Sequence, residues 1–206
     1  MGRQNAGFVR LALDLGERIF VILLGMPFII AFIRAVRVHP SFILVLISET
    51  LAIVLILTRR RGEIALRPLA VLAAFAGTAL PLMVRPGGAA IAPQLISSIL
   101  MFGGLSVSIL SKLYLNRSFG MIAANRGIKI GGPYRFVRHP MYLGAIFLYP
   151  ATALIFGSRW ALALSGLMSA LFVWRTALED RTLRQELPGY REFAASTRYR
   201  LVPGLW

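Results

Sequence analysis

GGPYRFVRHPMYLG, residues Gly131 to Gly144, is the segment around which the rest of the chain is organised. It lies between long apolar runs, yet it carries three side chains that are or can be cationic: Arg135, Arg138 and His139. Pro133 and Pro140 prevent one continuous helix, and Gly131, Gly132 and Gly144 allow the backbone to approach a ligand closely. The segment is therefore too polar to span a bilayer and too rigid to be a flexible linker.

The composition indicates a membrane protein. The chain has 206 residues, of which 57% are hydrophobic, and its mean hydropathy is +0.72. A soluble domain of this length could not bury so much apolar surface, so we expect a bilayer as solvent. The absence of cysteine excludes disulfides and thiolate metal sites, and two histidines argue against a multi-histidine metal centre.

The net charge of +15 is interpreted as basic loops that fix topology and contact anionic lipid. No basic stretch stands apart from an apolar run, so we expect no nucleic-acid binding. With both termini in the cytoplasm, only four basic residues fall on the opposite side: Arg34, Arg37, Arg85 and Arg159. Arginine provides 21 of the 23 basic residues, which favours a bacterial source and an inner-membrane location.

Six apolar segments predict an all-α, polytopic membrane helix bundle of about six membrane helices: residues 19–33, 41–57, 68–84, 93–115, 142–157 and 159–175. The last two are short, and we expect them to form a tight hairpin around Gly157-Ser158. A cytoplasmic helical segment follows, from Arg175 to Leu187, and then a short helix from about Tyr190 to Arg198. In that short helix, four residues share one face: Tyr190, Phe193, Ala194 and Thr197.

The pattern G-P-Y-R-x-V-R-H-P-x-Y-x-G resembles the cofactor motif of the isoprenylcysteine carboxyl methyltransferase family. These integral-membrane methyltransferases are related to phospholipid N-methyltransferases. The resemblance covers the chain from Tyr114 to Trp206. It implies S-adenosyl-L-methionine as cofactor and a single membrane domain over 1–206. In that domain, residues 19–115 form four N-terminal spans and 116–206 form the cofactor-binding part.

The resemblance also implies site residues. Eight positions would bind the cofactor: Ile128, Gly132, Tyr134, His139, Pro140, Met141, Tyr142 and Glu179. In Arg175-x-x-x-Glu179, the spacing of four puts both side chains on one helix face. By resemblance, Glu179 holds the cofactor and Arg175 meets an anionic acceptor head as a catalytic and substrate-binding residue. An ordinary ion pair between them is the alternative, and Arg181 is a rival for the arginine role.

Glu49 lies at the centre of the second apolar segment and is a further candidate catalytic residue. A carboxylate at mid-bilayer has to be neutralised, paired or turned toward a cavity. It either contacts substrate or a proton path, or it is a protonated acid bonded to a neighbouring helix. In the fourth segment, small residues predict close helix packing: Gly103, Gly104, Ser106 and Ser108.

The sequence thus predicts methyl transfer to a lipophilic acceptor at the cytoplasmic interface, with membrane lipids and a lipophilic or lipidated acceptor as partners. The resemblance favours the carboxylate of a prenylcysteine-like or isoprenoid substrate, and a phospholipid amine is an alternative. An NADPH-dependent reductase of the sterol-reductase type shares the HP-x-Y element, but this chain lacks the Asn and Glu usual there, having Met141 and Ala145. A non-catalytic membrane scaffold is the remaining alternative.

Overall fold

The chain folds into seven α-helices, seen in a computed structural model that describes residues 3–38, 40–60, 62–64, 67–83, 90–122, 124–156 and 159–206. Arg85 and the predicted Gly157-Ser158 turn lie outside the described residues. The helices are α1 (Arg3–Val36), α2 (Phe42–Thr58), α3 (Pro68–Met83), α4 (Gln94–Leu115), α5 (Pro140–Phe156), α6 (Arg159–Glu186) and α7 (Tyr190–Ser196). The helical fold class is therefore confirmed.

A two-residue antiparallel ladder is the one departure from helix and loop among the described residues. Its strands are β1 (Glu63–Ile64) and β2 (Ala124–Asn125), with Glu63 opposite Asn125. The ladder ties the connection after α2 to the loop after α4.

Three of these helices are long and apolar enough to cross a membrane, within the described residues: Gly7–Val36, Leu95–Ser118 and Arg159–Glu186. Three shorter apolar helices accompany them: Phe42–Thr58, Pro68–Met83 and Pro140–Ile155. Along α1, large apolar side chains are exposed, as expected for a lipid-facing surface: Phe8, Leu11, Leu15, Ile19, Ile22 and Leu23. The count of about six membrane helices stays a prediction.

Two predicted helix boundaries are wrong. The segment 19–33 is only part of the 34-residue α1, because the charged residues before it have partners. Arg59, which follows α2, donates hydrogen bonds to Asp14 and to the fully buried Glu17. Burial opposes the charge of Arg59, but Glu17 and Asp14 raise the pKa of its guanidinium above the usual value.

The second boundary error concerns the last long helix. The segment 159–175 and the predicted helix after it form one 28-residue α6, since no proline or other break intervenes before Pro188. In the following α7, the predicted face is confirmed for Tyr190, Phe193 and Ala194, which are all buried, and Thr197, directly after the helix, is buried as well.

Helices α4 and α5 approach each other at a pair of glycines. A Cβ at Gly144 would lie 2.6 Å from the carbonyl oxygen of Gly104 and 2.8 Å from the amide nitrogen of Ser108. Close packing is thus confirmed for Gly104 and Ser108, whereas a Cβ at Gly103 would meet nothing within 4 Å. The glycine at 144 therefore serves helix packing rather than the approach of a ligand.

Replacing Gly144 by alanine should destabilise the protein, since the new methyl group meets backbone atoms that cannot move aside. We expect Gly144→Ala to lower the free energy of unfolding by about 1–3 kcal/mol. The matched control is Gly103→Ala, which should be neutral or stabilising by up to about 1 kcal/mol. Thermal unfolding in detergent measures both, and equal losses in the two variants would contradict the glycine contact.

Candidate functional site

The motif segment is built around a short 3₁₀ turn, Gly132–Arg135, and the start of α5 at Pro140. Proline suits the first position of a helix, where its missing N–H is not needed. Gly132 has a φ of +56°, and a Cβ there would lie 2.4 Å from the Tyr114 ring. This glycine therefore makes room for an aromatic ring of α4, and its contact with the cofactor stays a prediction.

The segment that follows α7 holds the motif in place through hydrogen bonds. The N–H groups of Arg138 and His139 donate to the carbonyl oxygens of Tyr199 and Arg200, each at 2.9 Å. The Arg138 guanidinium donates to the carbonyl oxygen of Thr197 at 2.7 Å. The chain after α7 thus fixes the backbone at His139.

Asp180 is the centre of this arrangement, and sequence reasoning missed its role. The side chain is fully buried and accepts hydrogen bonds from Arg138 at 2.8 Å, Arg184 at 3.0 Å and Arg200 at 3.1 Å. The Tyr190 hydroxyl donates to it at 3.1 Å. Its position directly after Glu179 was the only signal in the sequence.

A first cavity, which we call the motif cavity, lies between the motif, α6 and α7. It contains about 780 Å³ of empty space, part of it open to solvent. Six of the predicted cofactor residues line it: Ile128, Tyr134, His139, Met141, Tyr142 and Glu179. Gly132 and Pro140 are not part of its lining, because the first packs on Tyr114 and the second opens α5.

A second cavity, the inner cavity, lies among the apolar helices. Its wall contains both predicted catalytic residues, Glu49 and Arg175. It also contains Lys112, whose Nζ donates to Glu49 Oε1 at 3.2 Å and to the carbonyl oxygen of Ser48 at 2.9 Å. Glu49 is therefore both paired and turned toward a cavity, as a carboxylate among apolar helices requires.

Tyr142 separates Glu179 from Arg175. Its hydroxyl donates to Glu179 Oε2 at 2.5 Å, and the Arg175 guanidinium lies 5.1 Å from the centre of its ring. The described residues show no ion pair between Arg175 and Glu179, so the ordinary ion-pair interpretation is not supported. The rival Arg181 is exposed, whereas Arg175 is buried.

The two cavities share three wall residues: Gly120, Met141 and Tyr142. Glu179 belongs to the motif cavity and Arg175 to the inner cavity, although one turn of α6 separates them. The two cavities therefore adjoin at these three residues.

The electrostatics of the motif cavity combine neutral phenols with cations. Burial, with Glu179 adding to it, raises the pKa of Tyr134, and burial together with Asp180 raises the pKa of Tyr190. Burial also lowers the pKa of Arg126 to about 10, and the neighbouring Arg59 charge acts in the same direction. At neutral pH the wall thus presents uncharged aromatic hydroxyls beside a charged guanidinium.

At the start of α5, the N–H groups of Tyr142 and Leu143 both donate to the carbonyl oxygen of His139. These two groups are thus used within the first turn of the helix. Among the described residues, no group of three or more His, Asp and Glu side chains could hold a metal ion.

Removing the Asp180 charge should leave a buried guanidinium without its partner. Asp180→Asn is expected to cost about 3–5 kcal/mol in the free energy of unfolding. Glu186→Gln is the control, because Glu186 forms an exposed pair with Arg67 at 3.4 Å and should cost about 0–1 kcal/mol. Denaturant or thermal unfolding distinguishes them, and a small effect of Asp180→Asn would contradict its central role.

Comparison with known proteins adds one similarity. Residues 87–187, just under half of the chain, match the family model described as phospholipid methyltransferase. The matched range contains the whole motif, Lys112, Arg175 and Glu179. No curated protein matches the chain at the threshold applied. The match supports an enzyme, and with the three apolar helices it indicates a membrane protein. Residues 87–187 are thus similar to the phospholipid methyltransferases, a family of the integral-membrane methyltransferase group.

Proposed function

We propose that this protein transfers a methyl group from S-adenosyl-L-methionine to a lipophilic acceptor, with the methyl donor in the motif cavity and the acceptor head in the inner cavity. The observation that carries the proposal is the meeting of the two cavities at Tyr142, with Glu179 on one side and Arg175 on the other. The phospholipid methyltransferase match supports the same reaction class.

The residues of the motif cavity fit the proposed methyl donor by their chemistry. Glu179 is an acceptor for an α-amino group, and Lys129 and Arg126 provide cationic donors for a carboxylate. Tyr134, Tyr190 and Phe193 provide aromatic surface for an adenine ring. When bound, S-adenosyl-L-methionine supplies an electrophilic methyl group.

The protein's own residues would act mainly by alignment. Tyr142 holds the Glu179 carboxylate through a 2.5 Å hydrogen bond and lines both the donor cavity and the acceptor cavity. Arg175 is fixed by the carbonyl oxygens of Ala74 and Met121, so its charge is held in place at the inner cavity. Rate enhancement would come from positioning and exclusion of water.

The acceptor is either an amine or a carboxylate. A phospholipid amine is favoured by the family match and by Glu49, which lines the inner cavity and would receive the proton that an ammonium group has to lose. The carboxylate of a prenylcysteine-like or isoprenoid compound fits Arg175 equally well and needs no base. The NADPH reductase and the non-catalytic scaffold remain as outcomes of the binding test below.

We further propose a single domain of about six membrane helices in a bacterial inner membrane, with both termini and the motif in the cytoplasm. The shorter helices α2, α3 and α5 would complete the bundle. This orientation opens the motif cavity to the compartment in which S-adenosyl-L-methionine is made, and the basic residues near the motif favour it.

Titration calorimetry in nanodiscs tests the methyl donor. We expect wild type to bind S-adenosyl-L-methionine and Glu179→Ala to bind it about 10–100-fold more weakly, because a charged hydrogen-bond acceptor is lost. Glu192→Ala, at an exposed acid of α7, is the matched control and should bind like wild type. Binding of NADPH alone would support the reductase, and binding of neither would support the scaffold.

Glu49→Gln distinguishes the two acceptor classes. With phosphatidylethanolamine vesicles as acceptor, loss of a general base should reduce methyl transfer about 10²–10⁴-fold. With an isoprenoid carboxylate, the same variant should change the rate by less than about threefold, since no proton has to leave. Transfer of radiolabelled methyl groups measures both, and an unchanged rate with the amine would exclude Glu49 as base.

A further inference from the structure

The loop that follows α4, Phe119–Ile122, forms the partition between the two cavities. Gly120 lines both, Met121 lines the inner cavity and Ile122 lines the motif cavity. Phe119, Met121 and Ile122 are all buried. Movement of this loop would change both cavities together.

The Met121 peptide is held on its two sides by different parts of the protein. Its N–H donates to Glu17 Oε1 of α1 at 2.8 Å, and its carbonyl oxygen accepts a hydrogen bond from Arg175 of α6. Glu17 and the Arg59 side chain are fully buried, and Arg59 donates to the same Glu17 oxygen. A carboxylate on α1 is thus linked, through the backbone of the single residue Met121, to the proposed acceptor-orienting arginine.

We propose that Glu17 is a positioning residue, which fixes the Met121 peptide and through it the partition between the methyl-donor and acceptor cavities. The inference rests on the proposed function. It gives α1, which lies before the segment that matches the phospholipid methyltransferases, a defined part in the site. A buried charge pair supplies a rigid acceptor here, because moving either partner would leave the other charged and unpaired.

Asp14 provides a matched control for Glu17. Both acids lie on α1 and both accept hydrogen bonds from Arg59, but Asp14 has Arg18 as its other partner, at 3.2 Å. Only Glu17 reaches the loop. Asp14→Asn therefore removes a carboxylate beside Arg59 without removing the acceptor of the Met121 N–H.

Amide hydrogen exchange of full-length protein in nanodiscs, without ligand, tests the contact. We expect the Met121 amide to exchange at least about tenfold faster in Glu17→Ala than in wild type, and within about twofold of wild type in Asp14→Asn. Glu17→Gln keeps an oxygen for the N–H and should retain most of the protection. If Glu17→Gln exchanges as fast as Glu17→Ala, Glu17 is only a counter-ion for Arg59 and the proposal is overturned.

Calorimetry with S-adenosyl-L-methionine then tests the consequence. Glu17→Ala should bind it about tenfold more weakly, whereas Asp14→Asn and Glu17→Gln should stay near wild type. Unchanged exchange or unchanged affinity in Glu17→Ala would overturn the positioning role. Failure of wild type to bind would instead overturn the proposed function, while the exchange comparison would still report whether Glu17 holds the loop. Amides of α5 serve as the internal control for correct folding.

Discussion

A guanidinium buried among apolar helices has to be satisfied on every side, and the rest of the structure depends on how this is done for Arg175. Its donors reach the carbonyl oxygens of Ala74 on α3 and Met121 in the partition loop. Its guanidinium carbon lies 5.1 Å from the centre of the Tyr142 ring on α5. Because no donor can be left unpaired at low cost in such surroundings, this one side chain of α6 sets the relative positions of three other parts of the chain.

Two neighbouring carboxylates of α6 also have to be paired, and they face different surroundings. Glu179, one turn after Arg175, accepts a hydrogen bond from the Tyr142 hydroxyl and lines the motif cavity. Asp180 instead accepts hydrogen bonds from three arginines, one of which, Arg138, also donates to the C-terminal segment. Arg175, Glu179 and Asp180 thus serve three different parts of the structure from one short stretch of α6. The Arg138 and His139 backbone is fixed by the chain after α7, so the C-terminal residues act on the site without lining either cavity.

Much of this could be predicted from the sequence. The apolar segments 41–57, 68–84 and 93–115 correspond closely to α2, α3 and α4, because the hydropathy of such runs leaves few alternatives to helix. The compact motif also predicted four residues that line one cavity: Tyr134, His139, Met141 and Tyr142. The start of α1 could not be predicted. Burying the carboxylates of Asp14 and Glu17 in an apolar helix bundle costs free energy, and this cost is offset only by Arg59, which is distant in sequence.

The parts of the site that sequence reasoning missed share a physical reason. Asp180, Lys112 and the Met121 backbone act through contacts between distant segments, and the position of Asp180 after Glu179 is the one local signal for them. Gly132 and Gly144 were predicted to make room for a ligand, but they make room for the Tyr114 ring and for the backbone of α4. A glycine in a sequence indicates only that other atoms approach the backbone closely. Whether these atoms belong to a ligand, a side chain or another helix depends on the tertiary structure.

The central claim is that the motif cavity holds the methyl donor next to Tyr142. An experimental structure of the protein with S-adenosylhomocysteine in nanodiscs tests it most directly. The account predicts the ligand between Tyr134, Tyr142 and Glu179, with its amino group within hydrogen-bond distance of the Glu179 carboxylate and its sulfur directed toward the inner cavity. A ligand bound elsewhere, or one whose sulfur points away from Tyr142, would contradict it.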